Sequence, residues 1–189
     1  MMRIITGTAK GKKLVSLEGD ATRPTSERIK EAVFSSIQFD VEGRRVLDLF
    51  AGSGQMGLES LSRGAQKATF IDLSREAMDI VKQNARITGF FDVCHFLVSD
   101  WRNYIRKASG REQYDLVFID PPYALRVAGE AVKALLDSDM LKPTSIIVVE
   151  SEESDIFENM PETKKKFTVL KETKYGVAHI TVLTRREEE

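Results

Sequence analysis

Short apolar segments rich in branched residues alternate with helix-like segments between residues 45 and 150. This alternation is typical of a parallel sheet covered by helices on both faces. The segments predicted as strands are 45–50, 68–72, 94–99, 115–120 and 145–150. Helices are predicted between them, near 56–63, 75–88, 101–108 and 127–136, and Ser74 is placed to cap the second. We therefore expect a doubly wound, Rossmann-like α/β fold.

The two ends of the chain have a different pattern. Segments 167–173 and 177–184 are strand-like and are separated by Lys174-Tyr175-Gly176, which predicts an antiparallel hairpin and seven strands in all. The polar stretch 152–166 is predicted to be a surface helix and loop. Near the start, 3–6 and 13–17 are predicted to pair around a turn, and a helix capped by Thr25 or Ser26 follows. Residues 1–40 are expected to form a small hairpin-and-helix appendage, and residues 41–189 the main domain.

Charge and composition limit the possible partners. The 189 residues are 42% apolar with a formal net charge of -1, so polyanion binding would need a local basic patch. The first thirty residues have a net charge of +4. A single cysteine, Cys94, excludes an intrachain disulfide, and two distant histidines make a metal site unexpected. With neither a signal peptide nor a membrane span apparent, we expect a cytoplasmic protein that does not bind membranes and is a monomer.

A glycine-rich loop follows the first predicted strand. Gly52-Ser53-Gly54-Gln55-Met56-Gly57 matches the dinucleotide fingerprint G-x-G-x-x-G, and Asp72 follows Gly52 by twenty positions, where a carboxylate can bind ribose hydroxyls. This pattern alone allows NAD. Asp48 favours S-adenosylmethionine over NAD, because a carboxylate beside the loop repels a pyrophosphate and attracts a cationic ligand.

A third acidic residue, Asp100, follows the third strand. It could accept a hydrogen bond from an adenine amino group or cap the next helix, and Trp101 is better explained by packing than by adenine stacking. The residues expected to bind the cofactor are Asp48, Phe50, Ala51, Gly52, Ser53, Gly54, Gly57, Asp72, Leu73, Asp100 and Trp101.

The segment Asp120-Pro121-Pro122-Tyr123 follows the fourth strand. Its two proline rings fix the backbone torsion φ, so the acidic residue is held on a stiff turn. The Asp120 carboxylate and the Pro121 carbonyl can accept hydrogen bonds from an exocyclic base amine, and Tyr123 can stack on the base. We predict that these four residues form the catalytic turn of a methyltransferase.

These motifs resemble the RsmD-type methyltransferases, and the likeness covers nearly the whole chain. It rests on Arg3-Ile4-Ile5-Thr6-Gly7, Lys10-Gly11-Lys12-Lys13-Leu14, Arg23-Pro24-Thr25 with Arg28, Glu31 and Phe34, residues 47–54, Gly57-Leu58-Glu59, Ser62-Arg63-Gly64-Ala65 and the Asp120 turn. The resemblance implies a seven-stranded methyltransferase fold, S-adenosylmethionine as donor, and a guanine amino group (N2) of 16S ribosomal RNA, free or in the small ribosomal subunit, as acceptor. It also implies that the appendage binds RNA through Arg3, Lys10, Lys12, Lys13, Arg23, Thr25 and Arg28.

Other functions remain open from the residues. An adenine-N6 DNA methyltransferase would use the same acidic turn, although 189 residues leave little room for a target-recognition region. An NAD-dependent oxidoreductase would keep the glycine loop and leave Asp48 and the two prolines unexplained. A non-catalytic RNA-binding module would use the basic N-terminus alone.

Overall fold

The computed structural model describes residues 2–17 and 24–186, with the backbone alone for residues 24–26. Its helices are α1 (Pro24–Ser36), α2 (Gln55–Ser62), α3 (Arg75–Thr88), α4 (Trp101–Ala108), α5 (Ala128–Asp137) and α6 (Pro161–Lys165). Its strands are β1 (Arg45–Asp48), β2 (Lys67–Asp72), β3 (Cys94–Val98), β4 (Tyr114–Ile119), β5 (Leu141–Ser151), β6 (Phe167–Tyr175) and β7 (Ala178–Arg185).

All seven strands form one sheet in the order β3-β2-β1-β4-β5-β7-β6. The first five are parallel, β7 is antiparallel to β5, and β6 pairs with β7 as a hairpin. The predicted doubly wound sheet and its C-terminal hairpin are thus confirmed. Most predicted boundaries differ from the structure by one or two residues, whereas β5 begins four residues earlier than expected, at Leu141.

Two apolar cores lie on opposite faces of the sheet, because side chains alternate along each strand. In β1, Val46 packs in the core beneath α1, α2 and α3, while the next residue, Leu47, packs in the core beneath α4 and α5. In β4, Phe118 packs in the core beneath α1, α2 and α3, and Ile119 packs in the core beneath α4 and α5. The functional edge of the sheet is therefore flanked by different helices on its two sides.

The N-terminal segment, residues 2–17, forms a shorter hairpin than the sequence predicts. One isolated antiparallel bridge joins Arg3 to Lys13, and Ile4, Ala9 and Leu14 are buried in the core beside α2 and α3. Backbone pairing beside this bridge joins Ile4 N to Lys12 O at 2.9 Å and Leu14 N to Met2 O at 3.0 Å, and beyond it the backbone donors are bound by helix residues. Ile5 N and Thr6 N donate to Glu59 at 2.8 and 3.0 Å.

Glu59 on α2 is the centre of a buried ionic network. Its side chain is fully buried, and Arg63 Nε donates to it at 2.9 Å. Lys30 Nζ lies 3.7 Å away and also donates to Arg3 O at 2.6 Å. Burial lowers the pKa of Lys30, and Glu59 opposes this effect. The network ties the N-terminal segment and α1 to α2, the helix that follows the glycine loop.

The stretch between β5 and β6 is less superficial than its polar sequence predicts. Ile156 and Phe157 are buried against α5, and Phe157 stacks on Phe167 with ring centroids 5.8 Å apart. Gly129 explains the close approach, because a Cβ there would lie 1.9 Å from Ile156 O. Two isolated apolar residues in a charged segment do not produce a periodicity that a sequence pattern could reveal.

Candidate active site at the carboxyl edge of the sheet

The strand order places the two sequence motifs side by side. β1 lies between β2 and β4, with Asp48 paired to Phe70 on one side and to Phe118 on the other. The chain leaves β1 toward β2 and β3, and later returns to β4 and β5, so the topology reverses between β1 and β4. In open α/β sheets, ligands bind in the crevice at such a reversal, outside the carboxyl ends of the strands. The glycine loop and the Asp120 turn both begin at this crevice.

The glycine loop is held by groups on both sides of it. Asp48 Oδ2 accepts a hydrogen bond from Gly57 N at 3.1 Å, and Asn84 Nδ2 donates to Ser53 O at 2.9 Å. Gly54 has φ of 77°, a conformation that favours glycine, and a Cβ at Gly57 would lie 2.4 Å from the Phe70 ring. Asn84 was not predicted from the sequence, because it lies mid-helix with no motif around it.

Asp72 is fixed at the end of β2 by two backbone donors. Its Oδ2 accepts from Gly52 N at 2.9 Å, and its Oδ1 accepts from Ser74 N at 2.8 Å. Leu73, the next residue, is 73% exposed although it is strongly apolar. The Ser74 hydroxyl caps α3 as predicted, accepting from Ala77 N at 3.2 Å. These contacts leave a rigid carboxylate and an apolar side chain together at the crevice.

Asp100 and Trp101 have structural roles in this fold. Asp100 Oδ1 accepts from Arg102 N and Asn103 N, so this residue is the N-cap of α4. Trp101 is buried, with its ring centroid 6.2 Å from that of Phe50. Cofactor contact at either residue stays a prediction, and for Asp100 it would involve the second carboxylate oxygen.

The remaining loop residues predicted to touch the cofactor differ in accessibility. Ala51 and Ser53 are buried, whereas Phe50 and Gly52 are partly exposed. The Ser53 hydroxyl donates to the Met2 sulfur at 3.1 Å, which brings the N-terminal segment to the loop. Ala51 N donates to Ile71 O at 2.9 Å and continues the β1–β2 pairing past the end of the strand.

Asp48, Asp72 and Asp100 lie at the carboxyl edge of the sheet, and we call these three residues the acidic edge. Asp48 is only 4% exposed, and burial, together with the charge of Asp72, raises its pKa to about 7 against the opposing Gly57 hydrogen bond. Within residues 2–17 and 24–186, no lysine or arginine forms an ion pair with Asp48, Asp72 or Asp100. A buried carboxylate without a partner is costly, and a bound cation would relieve that cost. The site therefore fits a ligand that carries positive charge.

The Asp120 turn is anchored by a residue that the sequence analysis did not select. Asp120 and Pro122 are exposed and Pro121 is buried. Tyr123 Oη donates to Glu150 Oε1 at 2.7 Å, and burial with the nearby charge of Glu150 raises the pKa of this tyrosine. Glu150 lies near the end of β5, so the observation that most strands end at a carboxylate could have identified it.

Some basic residues of the N-terminus make contacts within the protein, and their role in RNA binding stays a prediction. Lys12 Nζ donates to Ile87 O at 2.8 Å and to Thr88 O at 3.4 Å, at the end of α3 far from the crevice. Arg3 is paired with Glu27 at 2.9 Å, and Lys30 is buried. Exposed residues of the predicted set include Lys10, Lys13 and Arg28, while Arg23 and the side chain of Thr25 lie outside the described residues.

Two further findings concern sites that the sequence leaves open. Burial raises the pKa of the Cys94 thiol to about 12, so a thiolate is unavailable at neutral pH. Across the part of the chain that the structure describes, no group of three or more His, Cys, Asp or Glu is arranged to hold a metal ion. Nor is any helix there long and apolar enough to cross a membrane.

Comparison with known proteins agrees with the geometry. A family model described as Conserved hypothetical protein 95 matches residues 2–184. The chain is 32% identical to Ribosomal RNA small subunit methyltransferase D of Haemophilus influenzae, over 93% of this chain and 90% of that protein. The solved structure of yhhF from Escherichia coli superposes with a TM-score of 0.85 at 28% identity, covering 99% of both chains.

A more distant structure extends the comparison of the fold. SMU.776, which was solved in complex with SAH, matches 86% of this chain and 50% of its own with a TM-score of 0.71 and 15% identity. At this identity the likeness establishes the shared architecture. By family model, sequence and fold together, the chain belongs to the family described as Conserved hypothetical protein 95, the RsmD-type methyltransferases.

Proposed function

We propose that this protein transfers a methyl group from S-adenosylmethionine to the exocyclic amino group (N2) of a guanine in small-subunit (16S) ribosomal RNA. The observation that carries the proposal is the adjacency of the glycine loop after β1 and the Asp120 turn after β4, on neighbouring parallel strands. A donor bound at one motif would face an acceptor bound at the other, within the crevice where the topology reverses.

The cofactor would be held by residues that already form a preorganised cradle. Asp48 and Asp72 supply negative charge, and the backbone of Gly52 to Gly54 allows close approach of the ligand. Asp72 has lone pairs directed outward beyond its two backbone hydrogen bonds, which suits ribose hydroxyls. Leu73 offers an apolar surface for adenine. S-adenosylmethionine supplies an electrophilic methyl group on a positively charged sulfur, and Coulomb attraction from the acidic edge favours this cation over a diphosphate.

The acceptor amine would be oriented by the Asp120 turn. The Asp120 carboxylate and the Pro121 carbonyl can each accept one N–H of the amine, which directs the nitrogen lone pair toward the methyl carbon. The Tyr123 ring is held by its hydrogen bond to Glu150 and can stack on the base. Because the lone pair of a base amine is delocalised into the ring, this fixed orientation is the main contribution of the turn.

The reaction then needs one bond to form, one to break and one proton to leave. The amine nitrogen bonds to the methyl carbon while the carbon–sulfur bond breaks and its electrons remain on sulfur. The nitrogen afterwards loses a proton, which Asp120 can accept directly or pass to solvent, since this residue is exposed. Positioning supplies most of the acceleration.

The proposed acceptor follows from the relatives rather than from the pocket. The Haemophilus influenzae relative is named for the small-subunit ribosomal RNA, and the chain spans 90% of its length. The exposed cations Lys10, Lys13 and Arg28 are compatible with a polyanionic substrate.

Methylation of small ribosomal subunits from cells lacking the gene tests the proposal. Wild-type protein with labelled cofactor should transfer one methyl group to 16S RNA, and mass spectrometry should locate it on N2 of a guanine. Asp120→Ala should lower turnover at least a hundredfold and leave the dissociation constant for S-adenosylhomocysteine within twofold of the wild-type value. Transfer to DNA adenine only, or stabilisation by NAD and not by S-adenosylhomocysteine, would refute the proposal.

A further inference from the structure

Arg102, Arg106 and Lys107 on α4, with Arg111 in the turn that follows, form what we call the basic face of α4, which lies beside a groove between α4 and α5. We propose that this face and groove bind backbone phosphates of the RNA strand that carries the target base. The inference rests on the proposed function, because it assumes that the substrate is RNA.

Charge is the first observation. Residues 101–111 contain four basic residues and no acidic one, in a chain whose net charge is -1. All four basic side chains are exposed. The N-terminal segment looks more basic in the sequence, but Arg3 is paired with Glu27 and Lys12 is engaged by the end of α3. By contrast, Arg106, Lys107 and Arg111 form no ion pair within residues 2–17 and 24–186.

The shape of the neighbouring surface is the second observation. A groove of about 420 Å³ runs between the two helices, with Trp101 and Ile105 on its floor and Arg102, Arg106 and Glu130 on its walls. The Arg102 guanidinium lies 4.3 Å from the centre of the Trp101 ring and donates to Glu130 Oε2 at 2.8 Å. Arg106 donates to Asn103 Oδ1 at 3.1 Å. Two guanidinium groups are thus held along one groove, and a guanidinium matches phosphate geometry well.

Glu130 is the acidic group that faces the groove, and it does not prevent phosphate binding. Its pair with Arg102 is exposed on both sides, with 54% and 57% of the two side chains accessible. Exposed pairs of this kind contribute little net free energy. A phosphate can therefore share or displace the Glu130 contact at Arg102, and Arg106 has no acidic partner among the described residues.

Position relative to the crevice is the third observation. α4 begins directly after Asp100 at the carboxyl edge, and α5 begins shortly after the Asp120 turn, so the groove opens at the crevice. At 1.5 Å per residue, Arg106 lies about 9 Å along the axis from Asp100. Lys12 contacts the other end of α3, about 20 Å from its start. An RNA strand with one base at Asp120 would meet α4 first.

The test compares two double variants that remove the same charge. Arg106→Gln with Lys107→Gln removes two of the four positive charges of the α4 face, and Lys82→Gln with Lys165→Gln removes two lysine charges on α3 and α6. Binding of a 16S RNA fragment containing the methylated guanine is measured by fluorescence anisotropy between 50 and about 300 mM salt. We expect the α4 variant to lose at least tenfold in affinity at the lowest salt. Its plot of log affinity against log salt should become shallower by about 1.4 for two lost phosphate contacts.

The controls separate this inference from the proposed function. S-adenosylhomocysteine should bind the α4 variant as it binds wild type, which would establish that the crevice is intact. Equal losses in both double variants, or an unchanged salt slope for the α4 variant, would overturn the inference even if wild type methylates RNA normally. If wild type neither binds nor methylates 16S RNA, the proposed function itself fails.

Discussion

A single side chain, Asp48, best illustrates how much of this site follows from a residue and its neighbours. The sequence identifies a carboxylate beside a glycine loop, from which a cationic ligand can be inferred. Burial, which raises the pKa of Asp48 to about 7, could not be inferred because it depends on α2 packing over the loop. The sequence thus predicts which charge of ligand Asp48 favours, but it does not predict how far the pKa of Asp48 is shifted.

Replacing Asp48 with asparagine should change the free energy of unfolding by an amount that depends on pH, because the pKa of Asp48 is raised in the folded protein. The folded-state pKa lies above the ordinary value of 3.8, so the carboxyl favours folding below about pH 4 and loses this contribution as pH rises toward 7. Asp48→Asn should therefore stabilise the ligand-free protein relative to wild type by about 2–4 kcal/mol at pH 8, and by much less at pH 5. Urea unfolding at both pH values measures the difference. An identical difference at pH 5 and pH 8 would contradict the assignment.

Lys12 and Lys10 offer a matched pair of substitutions in one turn. Lys12 caps the last carbonyls of α3, whereas Lys10 is exposed. Lys12→Met should reduce stability by about 0.5–1 kcal/mol, because a cation at a helix C-terminus is stabilising, and should leave the salt dependence of RNA binding unchanged. Lys10→Met should leave stability within about 0.5 kcal/mol of wild type. Thermal unfolding of both variants provides the comparison, and equal losses would exclude the capping role.

At the scale of elements, the sequence predicts helices and strands best where the hydrophobic periodicity is strong. α3 and α4 begin and end at the predicted residues, and all five strands predicted to be parallel are present and parallel. The N-terminal hairpin is shorter than predicted because the backbone donors of Ile5 and Val15 are satisfied by Glu59 and Asn84, which lie 54 and 69 positions away. Local patterns do not contain such distant partners.

The buried ionic network around Glu59 should make the attachment of this segment sensitive to a minimal change. Glu59→Gln leaves the buried Lys30 and the partly buried Arg63 without a full negative partner, and breaking a buried ion pair typically costs about 3–5 kcal/mol. The double variant Glu59→Gln with Lys30→Met should lose less than the two single variants combined, because each removes the same interaction. Chemical denaturation of the three variants completes the cycle. Strict additivity would indicate that the two residues are not coupled.

Across the whole molecule, the N-terminal segment and α1 share a core with α2 and α3, while α4 and α5 cover the other face. The sequence predicts an appendage because residues 2–17 have the pattern of a short hairpin that leads into a helix, outside the alternation of strands and helices that follows. Their burial becomes visible only when Ile4, Ala9 and Leu14 are located between helices. The same reason explains Glu150 and Asn84, whose roles depend on elements brought together by the sheet.

Deleting residues 1–17 should therefore weaken the entire fold. Removal of Ile4 and Leu14, each worth about 1.5–3 kcal/mol, together with the smaller Ala9 predicts a loss of about 4 kcal/mol or more. Trp101 is the only tryptophan and lies on the opposite face, so its fluorescence reports unfolding far from the deletion. We expect its transition to move to lower denaturant, together with the circular dichroism signal. An unmoved Trp101 transition would indicate an independent unit.

Asn84 affects whether the glycine loop could keep its conformation in another protein scaffold. One amide group holds Ser53 O from the loop and both backbone groups of Val15, so three parts of the chain meet at a single side chain. A peptide copied from residues 48–57 and grafted onto another scaffold would lack this support. Whoever transplants the binding loop must therefore also transplant an asparagine 31 positions downstream of Ser53.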